Sequence, residues 1–414
     1  GCCRPWCSPT TRPTPTTTTC TCCSNDHPHA KLNSWVPGSA DLQIGVLPTL
    51  DDIDADLEIG ATKCRSAEFC TRLMMSTTLI GTDEWTDDRI LAVLDRAAEL
   101  KAGAAGESFA GKALVMVFFN PSLRTRTSFE VAMARHGGHA VVLEPGRGAW
   151  AIETRPGVVM DGEAVEHIVE AARVLGRYGD AVAVRAFPEA DTWAEARKDE
   201  VVRRFAEHTG VPTINMESAR RHPCQGLADA LTLRENLGGG PTGRRFVLSW
   251  CWHPRALPTA VPASAALAAA RLGMEVVVAR PPGFDLDPDD MRSIRAVAER
   301  NGGALKVSDD LDGSLTGADV VYAKSWGCLE DFGNPSAEAG RRTPYRDWRI
   351  DEERMSATRD GNGIFLHCLP VRRNVVVTDG VLDGPWSRVI DQAENRLHAQ
   401  RAVLETILNG GGEN

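Results

Sequence analysis

Short apolar runs alternate with amphipathic segments along most of this 414-residue chain. An apolar run at 113–119 ends in a polar loop, and a helical pattern follows at once. Strands that alternate with helices pair in parallel, so the fold class predicted is α/β with parallel sheets covered by helices. Strands are expected at 113–119, 139–143, 181–186, 211–215, 246–250, 275–279, 319–323 and 364–367.

The alternation runs in two series that join at about 218–237. Two series predict two doubly wound parallel-sheet domains joined by helices. The first domain is expected at 76–220 and the second at 221–391. A single helix is expected at about 192–208 in the first domain, and the helix at 392–410 is expected to return to that domain.

The first 75 residues differ from the body in composition. Half of the cysteines crowd the first 23 residues, at Cys2, Cys3, Cys7, Cys20, Cys22 and Cys23. The segment is also rich in Thr and Pro, which is typical of disorder. Residues 1–75 are therefore expected to be a disordered or artefactual head. A small metal knot is the alternative, but paired Cys-x2-Cys halves are missing.

Overall composition restricts the classes of partner. Hydrophobic and charged contents of 43% and 25% are globular values. The net charge of −10 argues against nucleic acid and anionic membranes as partners. No apolar run approaches the ~20 residues of a membrane helix. Scattered single cysteines in the body suit a reducing cytoplasm, where we expect the protein to act.

The loop after the first strand is the strongest candidate for ligand binding. Ser122, Arg124, Thr125, Arg126 and Thr127 lie directly before or at the start of a helix. A helix N-terminus offers free N–H groups and a positive dipole end, and arginine matches phosphate oxygens. The alternative is a surface loop with solvated arginines, but the position directly after an apolar strand disfavours it. The loop predicts a phosphorylated substrate.

In doubly wound sheets ligands lie beyond the carboxyl ends of the strands. Polar residues recur at those ends and before the last helix: Arg185, Glu217, His222, Gln225, Lys324, Cys368, Arg372 and Arg396. Each has a simpler interpretation alone. His222 can be a helix-start histidine without a role, Cys368 a small core residue, and Arg396 a surface partner of Glu394. Their recurrence at the same edges favours a shared site.

Three motifs carry a family resemblance. Ser122-Leu123-Arg124-Thr125-Arg126, His222-Pro223-Cys224-Gln225 and His367-Cys368-Leu369-Pro370 resemble the signatures of the aspartate/ornithine carbamoyltransferase superfamily. The Ser-Met-Gly loop of ordinary ornithine carbamoyltransferases is absent from the sequence. Instead the segments 322–327, 148–150 and 215–217 look like the N-acylornithine carbamoyltransferases.

The resemblance implies a reaction. Carbamoyl phosphate and N-acylornithine would give N-acylcitrulline and phosphate, in arginine biosynthesis. No metal or organic cofactor is expected, because the phosphate leaving group is already activated and positioning with electrostatics suffices. In the family, the loop that holds Trp150 reaches a neighbouring subunit's site, which implies a homotrimer with shared active sites.

The resemblance also implies roles for individual residues. Those expected to bind carbamoyl phosphate are Ser122, Leu123, Arg124, Thr125, Trp150, Arg185, His222, Gln225, Cys368, Leu369 and Arg396. Within this set Arg124, Thr125, His222 and Cys368 are the expected catalytic residues. The acylornithine is expected to contact Glu217, Lys324, Arg372 and Val165.

Two valines bear on the acyl group. Acetyl-specific enzymes carry Glu where Val165 stands, and tend to carry Lys where Val376 stands. A Glu would repel a succinyl carboxylate by about 4 kcal/mol at 4 Å and an effective dielectric constant of 20. Val165 removes that repulsion, so N-succinylornithine is predicted over N-acetylornithine, unless neither position touches the ligand.

Two other functions compete with this one. The acceptor can be ornithine itself or another amino acid such as aspartate, but the His-Cys-Leu-Pro motif disfavours aspartate. A non-catalytic protein that binds carbamoyl phosphate or phosphate is the alternative from a different class. Retention of Arg124 and His222 disfavours it.

Overall fold

Two parallel sheets organise residues 77–409, the part of the chain that the computed structural model describes. The first sheet has the strand order β2-β1-β5-β6. Its central strand β1 is buried from Leu114 to Phe118, as a strand covered on both faces must be. The strands of this half are β1 (Ala113–Phe118), β2 (His139–Leu143), β5 (Ala181–Arg185) and β6 (Thr213–Glu217), with the separate pair β3 (Ile152–Glu153) and β4 (Glu166–His167).

The second sheet has the order β11-β10-β7-β8-β9, and all its strand pairs are parallel. In each sheet the strands run in parallel, so their carboxyl ends all lie on the same side of that sheet, where the following loops gather. The strands are β7 (Arg245–Trp250), β8 (Glu275–Ala279), β9 (Ala304–Ser308), β10 (Val320–Lys324) and β11 (Ile364–Leu366).

Helices cover the sheets. In the first half they are α1 (Asp87–Lys101), α2 (Leu123–Arg135), α3 (Ile168–Tyr178), α4 (Trp193–Ala196), α5 (Glu200–His208) and α6 (Pro223–Asn236). In the second half they are α7 (Ala260–Arg271), α8 (Pro288–Arg300), α9 (Leu311–Leu315), α10 (Pro335–Arg342), α11 (Glu352–Ser356), α12 (Asp379–Leu382) and α13 (Val389–Leu408). Single 3-10 turns lie at Thr82–Glu84, Thr343–Tyr345 and Arg359–Gly361.

Three largely buried helices, α6, α7 and α13, position the site. Every residue of α7 is buried, as are residues 223–233 of α6. The last helix, α13, packs against α1, α2 and α6 and so returns to the first half of the chain. The predicted α/β class, with two parallel-sheet domains and a returning C-terminal helix, is confirmed. Because α6 buries polar side chains as well as apolar ones, its polar groups need hydrogen-bond partners.

Some elements differ from the sequence predictions. Strand β9 was not predicted, because as an edge strand it exposes Lys306 and Val307 and shows no continuous apolar run. The single helix predicted at about 192–208 is two helices, α4 and α5. The break lies at Asp199, whose φ is 51° and whose carboxylate accepts a hydrogen bond from the Ala219 N–H at 2.8 Å. The cysteine-rich head and its metal alternative lie outside the described residues. Within 77–409, no helix combines the length and apolar character needed to span a membrane.

Candidate active site

A cavity of about 630 Å³ lies at the carboxyl ends of both sheets. Its walls come from the segments after β1, β5, β6, β7, β10 and β11 and from helices α6 and α13. Two predicted residues, Trp150 and Val165, do not line it. The predicted residues that do are Ser122, Leu123, Arg124, Thr125, Arg185, Glu217, His222, Gln225, Lys324, Cys368, Leu369, Arg372 and Arg396.

The start of α2 forms one end of the cavity. Ser122 caps the helix, and its hydroxyl accepts a hydrogen bond from the Thr125 N–H at 3.3 Å. No acidic residue occupies the first turn, so the positive end of the helix dipole is not offset there. Burial and the nearby Arg185 lower the pKa of Arg124. Arg126 does not line the cavity and pairs instead with Glu144 at 3.1 Å.

The cavity is strongly cationic although the whole chain is acidic. Its walls carry five basic side chains and one carboxylate, Glu217: the basic ones are Arg124, Arg185, Lys324, Arg372 and Arg396. Arg185 forms an ion pair with Glu217, so part of its charge is already offset. Within residues 77–409, neither Arg124 nor Lys324 forms an ion pair with a carboxylate. Arg124 belongs to the first half of the chain and Lys324 to the second, so each half supplies the cavity with a cation that favours an anionic ligand.

His222 lies at the N-cap of α6, and its backbone N–H donates to the Ser264 hydroxyl at 2.9 Å. Its Nε2 lies 3.6 Å from a carboxylate oxygen of Glu217, and its buried Nδ1 has no hydrogen-bond partner in the described part of the chain. Burial lowers the pKa of His222 well below its usual value, and the cations Arg396 and Arg185 add to this. A neutral imidazole both donates and accepts, so it can polarise a carbonyl or accept from an amine.

Arg396 is not a surface residue. It is 2% exposed and donates to the Thr125 hydroxyl at 3.1 Å and to the Gln225 side-chain carbonyl at 3.0 Å. The simpler interpretation of this arginine as a surface partner of Glu394 is therefore wrong. Helix α13 instead brings a cation to the start of α2 and to α6.

The His367-Cys368-Leu369 loop follows β11. The His367 Nδ1 accepts a hydrogen bond from the Leu369 N–H at 2.9 Å, and Leu369 has a φ of 54°. This left-handed backbone conformation is unusual for a leucine and is typical of functional sites. Burial raises the pKa of the Cys368 thiol, so Cys368 is a neutral thiol rather than a thiolate nucleophile.

Several lining residues were not predicted. One of them is His253, whose Nε2 accepts a hydrogen bond from the Nε of Arg372 at 3.0 Å. The proton of the neutral imidazole is then on Nδ1, which faces the Arg255 carbonyl at 2.9 Å. His253 follows β7, so the carboxyl-end rule applied to that strand would have found it. The other unpredicted lining residues are largely apolar: Pro121, Phe187, Leu257, Pro258, Val261, Pro370 and Val371.

Trp150 and Val165 lie on the surface, with 62% and 70% of their areas exposed. The Trp150 indole N–H donates to Glu166 at 2.5 Å, which ties its loop to the β3–β4 pair. Val159 and Met160, in the segment between them, are also exposed. This segment therefore presents an apolar surface outside the cavity of its own chain.

Stability is expected to fall as the pH is lowered from the usual histidine pKa of 6.5 towards about pH 5. Burial lowers the pKa of both His222 and His367, so the folded state stays neutral there while the unfolded state gains protons. Their stabilisation is present above 6.5 and is lost as the pH falls. Burial raises the pKa of Asp229 to about 6, so this group makes the folded protein more stable as the pH falls. It is one group against the two histidines, so their effect on stability is expected to prevail.

Urea unfolding at several pH values measures this dependence. The slope expected is about 1.4 kcal/mol per pH unit for each proton taken up on unfolding. His367→Asn should flatten the slope. A free energy of unfolding that is constant across this range would contradict neutral histidines in the folded protein.

Comparison with known families agrees with this arrangement. Residues 77–235 match the family described as aspartate/ornithine carbamoyltransferase, carbamoyl-P binding domain. Residues 257–407 match the aspartate/ornithine carbamoyltransferase, Asp/Orn binding domain. The cavity lies where residues from both matched segments meet.

Individual relatives give the same result. The chain is 48% identical over 335 residues to an N-acetylornithine carbamoyltransferase of Xanthomonas axonopodis pv. citri, covering 80% of this chain and 97% of that protein. It is 37% identical over 300 residues to an N-succinylornithine carbamoyltransferase of Bacteroides fragilis, covering 72% of this chain and 87% of that protein.

Two solved structures are also similar. One is an acetylornithine transcarbamylase complexed with acetylcitrulline, at 47% identity and a TM-score of 0.77, covering 80% of this chain and 98% of that one. The other is an N-acetyl-L-ornithine transcarbamylase with one glutamate replaced by valine, complexed with carbamyl phosphate and N-succinyl-L-norvaline. It has 48% identity and a TM-score of 0.77, covering 80% and 99% of the two chains. On the two matched domains and these relatives, the chain belongs to the aspartate/ornithine carbamoyltransferase family.

Proposed function

We propose that this carbamoyltransferase moves the carbamoyl group of carbamoyl phosphate to the δ-amine of an N-acylornithine, giving N-acylcitrulline and phosphate. The observation that carries the proposal is the cavity itself. It combines a helix N-terminus that carries Arg124 with the strand end that carries Lys324, two cations without a carboxylate ion pair among residues 77–409, and a neutral His222 in its wall.

The first half of the cavity suits carbamoyl phosphate. Residues 122–125 offer hydroxyl, guanidinium and helix-start N–H donors to the phosphate, and Arg185 adds a second cation beside Glu217. His222, Arg124 and Thr125 face the carbonyl oxygen, on which negative charge develops in the transition state. Gln225, Cys368, Leu369 and Arg396 close the carbamoyl end. Because Cys368 is a neutral thiol, its backbone carbonyl is the group we assign to the carbamoyl NH₂.

The second half suits an amino acid whose α-amine is blocked. Such a substrate presents a carboxylate but no ammonium, and the free cation Lys324 lies at the end of β10 to receive it. Arg372, held by His253, supplies a second cation. Glu217 and the apolar residues Leu257 and Val371 complete this half. The uncharged δ-amine attacks the carbamoyl carbon and forms a C–N bond. The tetrahedral oxyanion then collapses, the bond from carbon to the phosphate oxygen breaks, and the proton lost by the nitrogen leaves on the phosphate.

For the acyl group, overall similarity favours N-acetylornithine, because identity is 48% to the acetyl-type relative and 37% to the succinyl-type one. N-Succinylornithine, predicted from Val165 and Val376, is the second candidate. A specific observation supports it: a valine replaces a glutamate in the solved relative complexed with N-succinyl-L-norvaline. N-Acetylornithine is our first assignment, and competition between the two amines decides it.

We also propose a homotrimer with shared sites. Trp150 and Val165 belong to the exposed apolar segment and do not reach the cavity of their own chain. An exposed apolar segment of this kind is typical of a subunit interface. In such an assembly these two residues would approach the neighbouring cavity, which gives Trp150 its predicted contact with carbamoyl phosphate. Sedimentation in solution tests the trimer.

Detection of a ureido product tests the reaction. Carbamoyl phosphate is mixed with N-acetylornithine, N-succinylornithine or ornithine, and phosphate release is followed in parallel. The proposal requires product from an acylornithine and little from ornithine. Binding of carbamoyl phosphate without any ureido product would identify a non-catalytic binding protein instead.

Lys324→Met is expected to raise the KM for the acylornithine by roughly tenfold or more, because a charge-assisted hydrogen bond is worth about 1.5–3 kcal/mol. The KM for carbamoyl phosphate should change little. Steady-state kinetics with each substrate varied in turn measures both constants. Lys306→Met is the control, since Lys306 is exposed on β9 and pairs with Glu275. Equal increases in both KM values would remove the assignment of Lys324 to the acceptor.

A further inference from the structure

Asp229 is a fully buried carboxyl group beneath the cavity. It lies on α6, is 0% exposed and does not line the cavity. Its Oδ1 accepts two hydrogen bonds, from the side-chain amide of Gln225 at 2.8 Å and from that of Gln392 at 2.6 Å. These amides belong to different helices, α6 and α13, so Asp229 joins the two.

Each amide leads to a different wall of the cavity. The Gln225 carbonyl oxygen accepts from Arg396 at 3.0 Å, and Arg396 in turn donates to Thr125 at 3.1 Å. The Gln392 carbonyl oxygen accepts from the His367 N–H at 3.0 Å, at the start of the His-Cys-Leu-Pro loop. Through the two amides, the Oδ1 of Asp229 is therefore linked both to Arg396 at the start of α2 and to the backbone of His367 in the His-Cys-Leu-Pro loop.

We propose that Asp229 is a positioning residue, whose ionised carboxylate fixes the orientation of Gln225 and Gln392 and, through them, of Arg396 and the His367 backbone. An ionised carboxylate only accepts hydrogen bonds. Both amides must therefore turn their NH₂ groups to Asp229 and their oxygens to Arg396 and His367. An asparagine at 229 can present either an oxygen or an NH₂ group, so the orientation of both glutamines would no longer be fixed.

The charge of Asp229 lowers folding stability. Burial raises its pKa to about 6, above the usual value of 3.8. The stability linked to this group is thus fully present below 3.8 and is lost as the pH rises through about 6. The titratable and charged groups that face it are Arg396 on α13, Tyr322 on β10 and Cys368 after β11. A buried charge that is unfavourable for folding, where a neutral acceptor would fit, indicates a role in the site.

Asp229→Asn separates this role from a structural one. The melting temperature at pH 8 should be unchanged or higher, since the variant buries no charge. The catalytic efficiency with carbamoyl phosphate should fall by ~10–100-fold, as for outer-shell groups that orient metal ligands. The KM for the acylornithine should change little. This readout rests on the proposed function, so carbamoyl phosphate binding is also measured by calorimetry without an acceptor.

Thr232→Val is the matched control. The Thr232 hydroxyl accepts from Asn395 at 2.9 Å and donates to the Ala228 carbonyl at 2.7 Å, so it joins the same two helices while neither of these partners lines the cavity. We expect wild-type kinetics from this variant. The unaltered enzyme supplies a second measurement: its affinity for carbamoyl phosphate should fall on acidification with a midpoint near the Asp229 pKa of about 6, and the Asn variant should lack this step.

Wild-type affinity for carbamoyl phosphate in Asp229→Asn would overturn the proposal, as would an equal loss in Thr232→Val. Absence of the acid step from the unaltered enzyme would overturn it too, even where the Asn variant does not fold. An unaltered enzyme that binds carbamoyl phosphate but makes no ureido product would instead overturn the proposed function. In that case the calorimetric comparison still decides the role of Asp229.

Discussion

Arg124→Ala is expected to lower kcat by about a hundred- to a thousandfold, the effect of removing one preorganised oxyanion donor. Arg124 lies in the first turn of α2, where the helix dipole already favours an anion, and no carboxylate among the described residues forms an ion pair with it. Its removal would leave the phosphate to the helix N–H groups, Ser122 and Arg185, and would take a donor from the developing oxyanion. A rise in the KM for carbamoyl phosphate should accompany the fall in kcat.

Steady-state kinetics with carbamoyl phosphate varied at saturating acylornithine measures both effects. Arg89→Ala is the control, because Arg89, a residue of α1, packs over the ring of Trp85 and does not line the cavity. Circular dichroism of both variants checks that they fold. If Arg124→Ala kept more than about a tenth of the wild-type rate, the phosphate end would have to be placed elsewhere.

Val165→Glu is expected to lower kcat/KM for N-succinylornithine by up to roughly a thousandfold, because two like charges 4 Å apart repel by about 4 kcal/mol at an effective dielectric constant of 20. The kcat/KM for N-acetylornithine should change little, since the acetyl group carries no charge. The change should thus shift the preference between the two acylornithines towards N-acetylornithine. It also depends on the proposed trimer, because Val165 lies outside the cavity of its own chain.

Competition of the two acylornithines in one reaction, with the two products separated by mass, measures this preference. Val159→Glu is the matched control, since Val159 is a valine of the same segment with 82% of its area exposed. Equal effects of Val165→Glu on both substrates would show that residue 165 does not approach the acyl group. A shift in Val159→Glu as well would indicate a general charge effect.

Most of the fold could be predicted from the sequence, because buried parallel strands consist of continuous runs of apolar residues. Strands such as β1 and β7 appear in the sequence as such runs, whereas the edge strand β9 exposes the consecutive residues Lys306 and Val307 and leaves none. The break between α4 and α5 was not readable. It depends on Asp199, whose buried carboxylate satisfies a backbone N–H of Ala219, a residue that is distant in sequence.

For the site, the sequence predicted most of the residues that line the cavity but not which side chains contact each other. The carboxyl-end rule and three motifs selected most of the lining, but the partners of each side chain depend on tertiary contacts. The ion pair of Arg185 with Glu217 and the burial of Arg396 between Thr125 and Gln225 follow from how β5, β6, α2, α6 and α13 meet. Likewise, Asp229 carries no signal in the sequence, because a helical aspartate is usually solvated.

The contact between Thr125 and Arg396 joins residues that are 271 positions apart. Closing so long a loop costs conformational entropy, so we expect this contact to form late in folding. We therefore expect either sheet to reach its native strand order while the start of α2 still lacks the arginine delivered by the last helix. In a refolding experiment, recovery of ligand affinity would time the docking of α13, whereas recovery of circular dichroism would time the sheets.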